Sequence, residues 1–218
     1  MKGQPHTPSP EPRSSKGKAI SIISRWLHVY LSMLGLVALL FFSVTGITVN
    51  HPDWLFFDHE TIKQYSGTLP LEWIDPTDPT ELEDCTEGVN KLDIVEYLRS
   101  THGIRGLVSE FSGDEYQLMI GFNGPAYTAY GTVERENGSY TLNESTLGFM
   151  SLMNDLHKGR DTGTVWSAVI DISAVTMIIA SLTGLYLLLG LKKRKHMGII
   201  TGLVGGIAFL LFYLLFVP

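Results

Sequence analysis

The chain has 218 residues, of which only 17% are charged and 44% are hydrophobic, and its formal net charge is −6. No charged residue lies between Arg25 and Asp53, and residues 162–191 contain one charged residue, Asp171. Such long uncharged stretches exclude an ordinary soluble protein and indicate membrane-spanning helices. The single cysteine, Cys85, excludes an intramolecular disulfide.

Residues 1–19 are rich in Pro, Ser and Lys, which predicts a disordered cytoplasmic tail. Residues 20–50 are predicted to form the first transmembrane helix, because roughly 20 apolar residues suffice to cross the hydrocarbon core. The apolar stretch is longer than the core of a signal peptide and no A-x-A-like site follows it, so we expect a retained anchor. One side of this helix carries small and polar residues: His28, Ser32, Gly35, Ser43, Gly46 and Asn50. This pattern predicts either a packing surface or a packing surface that also holds a planar cofactor.

Residues 51–146 are predicted to form a small extracytoplasmic α+β domain. The whole segment 51–163 contains 20 acidic and 7 basic residues, a net charge of −13. A surface of this charge repels nucleic acid and favours cations or basic partners.

Within this domain, the proline-rich and acidic stretch 66–88 is expected to be an irregular loop. Residues 91–101 are predicted to form a short helix, with Leu92, Val95 and Leu98 on its buried face. Gly103 follows and is typical of a helix end. Alternating residues after it predict an antiparallel meander of three or four strands, with hairpin turns at Asn123-Gly124 and Asn137-Gly138.

The last third of the chain predicts an amphipathic segment at the membrane surface over residues 147–163, and transmembrane helices over 164–191 and 197–218. The second helix carries a polar stripe of Thr164, Ser167, Asp171, Ala174 and Ser181. Asp171 is the only acid inside a span, and either a role in the helix bundle or an interfacial structural role fits it. The third helix carries Gly198, Gly202 and Gly206, a spacing typical of close packing against another helix, in a homo-oligomer or with a partner subunit.

Positive charges predict the orientation. The N-terminal tail is basic, and the loop between the second and third spans reads LKKRKH. Both flanks lie on one side of the membrane if there are three spans, and basic flanks stay in the cytoplasm. We therefore expect a cytoplasmic N-terminus, with residues 51–163 on the outer side.

Four of the seven histidines lie at span ends: His28 and His196 at the inner ends, and His51 and His157 at the outer ends. Paired imidazoles from antiparallel helices are suited to the axial positions of b-type haem. His157 and His51 would form an outer pair, and Lys158 and Arg160 would neutralise haem propionates there. The alternative is that these are interfacial histidines that are merely solvated.

Two segments resemble a known family. SRWLHVYLSMLGLVALLFFSVTG and LHKGRDTGTVWSAVIDISAVTMIIASLTGLYLLL are similar to the spans of PepSY-associated transmembrane proteins, each with a leading L-H and a trailing T-G. The segment between them resembles one PepSY module. The resemblance implies a bacterial inner-membrane protein, with larger relatives that include haem-carrying siderophore reductases of iron uptake. This chain has three spans and one such module, where the larger pattern has four spans.

Two functions remain open at this point. The first is a haem-binding electron-transfer component, or one that reduces a metal or siderophore. The second is a non-catalytic, membrane-anchored PepSY module that binds or regulates a periplasmic peptidase or another partner. G-x-S-x-G and H-E-x-x-H motifs are absent from the sequence, so whether the protein is an enzyme stays undecided.

Overall fold

The structure is a computed structural model that describes residues 15–51, 59–74 and 85–218. Three of its helices are long and apolar enough to cross a membrane: Gly17–Asn50, Gly163–Leu189 and Lys195–Phe216. The chain divides into two compact units. One comprises Met1–Leu40 and Asp171–Pro218, and the other is Phe41–Ile170.

The second unit contains a five-stranded antiparallel sheet in the order β1-β5-β4-β3-β2. Its strands are β1 (Thr61–Thr68), β2 (Leu107–Gly113), β3 (Gln117–Gly124), β4 (Tyr127–Glu134) and β5 (Ser139–Thr146). The predicted meander of three or four strands is confirmed in part: β2 to β5 form it, and β1 adds a fifth strand that was not predicted. The prediction for residues 66–88 is wrong at its start, because β1 extends to Thr68 and the short helix α2 occupies Leu71–Ile74. The pairing of β1 with β5 joins residues nearly 80 positions apart, so no local sequence signal marks it; residues 75–84 lie outside the described part.

Helix α3 (Lys91–His102) covers one face of the sheet. The side chain of Asn90 accepts a hydrogen bond from the backbone N–H of Asp93 at the start, and Gly103 ends the helix in a left-handed conformation at φ 71°. Its buried residues are Ile94, Val95 and Leu98. Leu92, expected on this face, is 68% exposed, because it lies about 110° around the helix from the centre of the buried set.

The core of the sheet unit lies between α3 and alternate residues of β3, β4 and β5. Leu118, Ile120, Phe122, Val133 and Leu142 are fully buried. Each such side chain contributes about 1.5–3 kcal/mol relative to an exposed position. The opposite face of the sheet is not covered by a described helix in this unit, and Thr128, Tyr130, Thr141 and Asn143 are exposed there.

The two hairpin predictions have different outcomes. Asn137-Gly138 lies between β4 and β5, with Gly138 at φ 71°, as predicted. Asn123-Gly124 instead continues the ladder, with Gly124 opposite Tyr127, and the turn consists of Pro125 and Ala126. Proline favours the first central position of a turn, which displaces the turn by two residues.

Residues 147–163 contain helix α4 (Phe149–Lys158) and a turn. Gly159 ends α4 at φ 69°, and Asp161 and Gly163 also have positive φ values of 54° and 76°. Because these three residues turn the chain, α4 and α5 (Gly163–Leu189) are separate helices.

In the first unit, α1 (Ser15–Asn50) and α5 meet through small side chains. A Cβ added at Gly35 would lie 3.4 Å from Cγ2 of Thr176, so the stripe on α1 is a contact surface at this point. Of the polar stripe on α5, Ser167, Asp171 and Ser181 are exposed in the single chain, and Ser181 lines a cavity together with residues of α1. Thr176, which contacts Gly35, lies about 180° around the helix from Ser167.

Helix α6 (Lys195–Phe216) completes this unit. A Cβ at Gly198 would meet the side chain of Leu188 at 2.6 Å, whereas Gly202 and Gly206 have open space around them.

Candidate functional site: two histidines held by Thr-Gly dipeptides

His28 lies on α1 and contacts α5 inside the first unit. Its Nδ1 is 2.9 Å from the carbonyl oxygen of Ala180 and 3.4 Å from Oγ1 of Thr183. The ring also lies against Gly184, where an added Cβ would be 2.9 Å from Cε1 of His28. Such a distance is too short for a real Cβ, so this position of the imidazole requires glycine at 184.

The hydrogen bonds of His28 define its tautomer. A carbonyl oxygen only accepts, so Nδ1 of His28 carries a proton and donates it to Ala180. In the neutral ring the lone pair is then on Nε2. A histidine whose Nδ1–H is held by a backbone carbonyl is the arrangement that orients Nε2 as a metal ligand.

His28 lines two cavities. The larger, of about 830 Å³, is bounded by Arg25, Gly184, Tyr186 and the apolar segment 187–191. The smaller, of about 230 Å³, is bounded by Ser32, Gly35, Met177 and neighbouring residues of the same two helices. The imidazole is therefore next to space as well as to a packed helix.

His157 lies in the last turn of α4 and contacts the C-terminal part of α1 inside the second unit. Its Nδ1 is 2.7 Å from Oγ1 of Thr45. A Cβ added at Gly46 would be 3.5 Å from Cε1 of His157, and the ring of Phe42 packs edge-on at 5.3 Å between centroids. Thr45 itself is 5% exposed, so this is a buried polar contact.

The hydroxyl of Thr45 also defines the tautomer of His157. Oγ1 of Thr45 donates its one proton to the carbonyl oxygen of Phe41 at 2.6 Å. It therefore accepts from His157, whose Nδ1 carries the proton. In the neutral ring Nε2 again has the lone pair, as in His28.

In both contacts, a histidine of one helix packs against a Thr-Gly dipeptide of another helix. Thr183-Gly184 of α5 receives His28, and Thr45-Gly46 of α1 receives His157. In each dipeptide the threonine hydroxyl oxygen lies near Nδ1 of the histidine and the glycine lies against the ring, where a Cβ would clash at 184 but not at 46. The L-H and T-G motifs in the sequence are thus the two halves of each contact.

The other predicted site residues are dispersed. Nε2 of His51 is 3.3 Å from the amide nitrogen of Asn50 at the end of α1, and His196 is exposed at the start of α6. Lys158 is exposed, and Nε of Arg160 is 3.8 Å from a carboxylate oxygen of Asp155.

His102 contacts two tyrosines of the sheet unit. Its ring stacks on Tyr65 at 4.5 Å, and its Nε2 is 2.7 Å from the hydroxyl oxygen of Tyr140. Tyr65 in turn donates to Oε2 of the buried Glu144 at 2.9 Å. The connection from helix α3 to strands β1 and β5 depends on tertiary pairing, so no sequence motif reveals it.

These contacts raise the pKa of two tyrosine side chains. The hydrogen bond to Glu144 raises the pKa of Tyr65, with a further contribution from burial. Burial raises the pKa of Tyr140, and the neighbouring Tyr97 adds to this. Both hydroxyls therefore stay protonated and act as hydrogen-bond donors or acceptors throughout the physiological range.

Within the described residues, no group of three or more His, Cys, Asp or Glu side chains is positioned to hold a metal ion. An imidazole-ligated haem needs only one or two such ligands. The residues around His28 fit this group: a free Nε2 lone pair, a fixed ring, an apolar cavity and the cation of Arg25. The His157 ring is oriented in the same way but is packed against Phe42.

A family model described as PepSY_TM-like matches residues 22–218, which include all three spans and the sheet unit. No curated protein and no solved structure matches the chain.

Proposed function

The chain belongs to the PepSY_TM-like family of membrane proteins, and from this premise we propose that it binds b-type haem between its membrane helices and serves as an electron-transfer component. The observation that carries the proposal is the environment of His28. Its Nδ1 donates to the carbonyl of Ala180, which leaves Nε2 as the ligand atom beside a cavity of about 830 Å³. Haem bound there supplies one-electron chemistry.

The residues around His28 would divide the work of binding. The Ala180 carbonyl fixes the ring, and Gly184 admits it against α5. Arg25 supplies a positive charge for a propionate, and the apolar segment 187–191 excludes water. His196, or a residue of a partner chain, would provide a second ligand.

His157 is the second candidate ligand, with His51 as the partner expected from the sequence. The hydrogen bond to Thr45 holds Nδ1, so Nε2 is the nitrogen that would ligate, and the ring packs against Phe42. The two ends of α1 are far apart: His28 and His51 are separated by 23 residues, or about 34 Å of helix. The chain alone therefore does not provide a short path for electrons across the membrane. One haem fits better, or two haems with a redox group of a partner protein between them.

The location proposed is a bacterial inner membrane, with the N-terminus in the cytoplasm and residues 51–163 outside. Metal or siderophore reduction in iron uptake is the role we propose, because a chelate on the outer side needs electrons delivered through the membrane. The acidic balance of residues 51–163, 20 acids against 7 bases, favours a cationic chelate over an anionic one.

The experiment is an absorption spectrum of the full chain, purified after expression with ample haem, in oxidised and reduced states. The wild type is expected to show the reduced-state bands of b-type haem. His28→Ala should abolish or shift the bands of an inner site, and His157→Ala those of an outer site. His59→Ala is the matched control, because His59 is exposed at the edge of the sheet domain; His102 does not serve, because it packs on Tyr65.

Two results would contradict the haem proposal. One is a wild-type spectrum without haem bands, and the other is a spectrum that neither His28→Ala nor His157→Ala alters. Both histidines would then act as packing contacts between helices.

The second candidate is a membrane-anchored module that binds or regulates a periplasmic partner. The observation that favours it is the open face of the sheet, where Thr128, Tyr130, Thr141 and Asn143 are exposed without a charged residue among them. Hydroxyl and amide groups beside a tyrosine are suited to a polar protein interface. Tyr130→Ala should weaken capture of a periplasmic peptidase, whereas Tyr116→Ala, at an exposed turn, should not; equal capture would remove this candidate.

A further inference from the structure

A groove of about 630 Å³ lies in the sheet unit where the sheet approaches the start of α5. Its walls come from the loop before β2, the β3–β4 hairpin, the start of α4 and the turn before α5. Gly163, the first residue of a membrane-spanning helix, is one of its lining residues. The groove therefore adjoins the first turn of a helix that is long and apolar enough to cross a membrane.

Hydrogen bonds between these segments hold the groove in shape. The backbone N–H of Arg105 donates to the hydroxyl of Tyr127 at 3.1 Å, and that of Ala126 donates to the carboxylate of Asp155 at 2.9 Å. The N–H of Leu147 donates to the carbonyl of Ala126, also at 2.9 Å. The loop before β2, helix α4 and the segment before it are thus tied to the β3–β4 hairpin.

Large apolar side chains around the groove are exposed. Phe149 is 67% exposed, Leu107 is 60% exposed and Leu147 is 40% exposed. In a small domain, a cluster of this kind marks a surface that meets another apolar phase. Because the groove adjoins the start of a span, the lipid leaflet on the side of the sheet domain is the apolar phase at hand.

Two charges of opposite sign line the same groove. Arg105 is exposed, with its guanidinium 5.4 Å from the centre of the Tyr127 ring. Asp161 is exposed in the turn before α5. Among the described residues, neither side chain is part of an ion pair within 4 Å.

We propose that this groove binds one aminophospholipid of the leaflet on the side of the sheet domain. The guanidinium of Arg105 receives the phosphate, the carboxylate of Asp161 receives the ammonium group, and an acyl chain lies along Leu147, Phe149 and Leu152. A zwitterionic head group matches this pair of charges, whereas a singly anionic head group leaves Asp161 facing a negative charge. Bound lipid would fix the sheet domain against the membrane surface.

The test uses the full chain in lipid nanodiscs that contain equal amounts of phosphatidylethanolamine and phosphatidylglycerol. Native mass spectrometry after release into mild detergent measures which lipid stays bound. The wild type should retain phosphatidylethanolamine in preference. Arg105→Gln and Phe149→Ser should reduce its retention about tenfold, and Arg105→Lys should retain most of it, because the positive charge remains.

Two further variants make the result specific. Asp161→Asn should remove the preference between the two lipids, and asparagine tolerates the positive φ at this position. Leu92→Ser is the matched control, because Leu92 is 68% exposed on α3 and is not part of the groove. Circular dichroism of each variant confirms that it is folded.

Equal retention of the two lipids by the wild type would overturn the proposal, and so would retention unchanged in both Arg105→Gln and Phe149→Ser. If free phosphate alone displaces the lipid, Arg105 belongs to a general anion site that does not select a lipid. That result would also overturn the proposal.

Discussion

Oγ1 of Thr45 accepts a hydrogen bond from Nδ1 of His157 at 2.7 Å, and this contact connects two segments 112 residues apart in the sequence. The threonine is buried, and its own proton is donated to Phe41. The contact therefore ties the amphipathic helix α4 to the C-terminal part of α1 with a defined geometry, whether or not His157 also binds a cofactor.

Replacing Thr45 by valine keeps the shape of the side chain and removes the hydroxyl. We expect Thr45→Val to lower the free energy of unfolding by about 1 kcal/mol, because Nδ1–H of His157 loses its acceptor in a buried place. Thr45→Ser, which retains the hydroxyl, should lose clearly less. The measurement is denaturant unfolding in detergent, and equal stability of Thr45→Val and the wild type would show that the hydrogen bond contributes nothing.

Gly184 tests the other histidine contact. A methyl group at this position would lie 2.9 Å from Cε1 of His28, so Gly184→Ala should displace the imidazole. We expect loss of any haem bands that depend on His28, together with a lower thermal unfolding temperature.

Two glycines serve as controls for Gly184→Ala. Gly205→Ala, in α6, meets no atom within 4 Å and should be neutral in the isolated chain. Gly46→Ala would place its methyl 3.5 Å from His157, an ordinary van der Waals distance, and should be tolerated. A Gly184→Ala protein that matches the wild type in both measurements would show that His28 can move without consequence.

The spans and the helix-plus-meander domain were predictable, because each depends on a local signal: apolar length for a span, and alternation for β3 and β4. The L-H and T-G motifs were also recognisable. Their physical relation was not, because His28 meets Thr183-Gly184 only once α1 and α5 have packed. The sequence alone places these residues more than 150 positions apart.

Two sets of contacts could not be predicted, for a common reason. Thr176 and Gly184 are the residues of α5 that meet Gly35 and His28 of α1, and no pattern in the sequence marks these pairs. The partners of His102, Tyr65 and Tyr140, come from strands on either side of it in the sequence. In both cases the missing information is which surfaces meet.

Helix α6 yields a prediction about assembly. Gly202 and Gly206 have open space around them, so a larger side chain there clashes with nothing in the single chain. If these glycines mediate contact with a second copy or a partner subunit, Gly202→Leu should reduce cross-linked oligomers in membranes, because leucine holds two backbones apart. Leu211→Ala is the comparison on the same helix; if both variants cross-link as well as the wild type, α6 faces lipid.

The three spans predict the position of both termini. With an inner N-terminus, a reporter fused after Pro218 should be active only if it functions on the outer side of the membrane. A second reporter in the LKKRKH loop should show the opposite pattern. Cytoplasmic activity of the C-terminal fusion would contradict three full crossings.

The tyrosine hydroxyls of the sheet domain predict its response to alkali. The pKa of Tyr65 is raised above its ordinary value of 10.0, first by the hydrogen bond to Glu144 and then by burial. The pKa of Tyr140 is raised by burial. The unfolded chain therefore releases these protons at a lower pH than the folded domain does, so their contribution to stability is complete below pH 10 and is lost as the pH rises through the folded pKa values.

We accordingly expect the urea midpoint of the sheet domain, measured in the full chain, to fall between about pH 9 and about pH 11. Tyr65→Phe removes one of the groups responsible and should lessen the fall, although it lowers the midpoint at neutral pH by deleting the hydrogen bond to Glu144. Tyr116→Phe, at a position 76% exposed, is the matched control and should follow the wild type. A wild-type midpoint that stays constant across this range would contradict the prediction. It would mean that Tyr65 and Tyr140 release their protons at the same pH in the folded and unfolded chain, despite the contact between Tyr65 and Glu144.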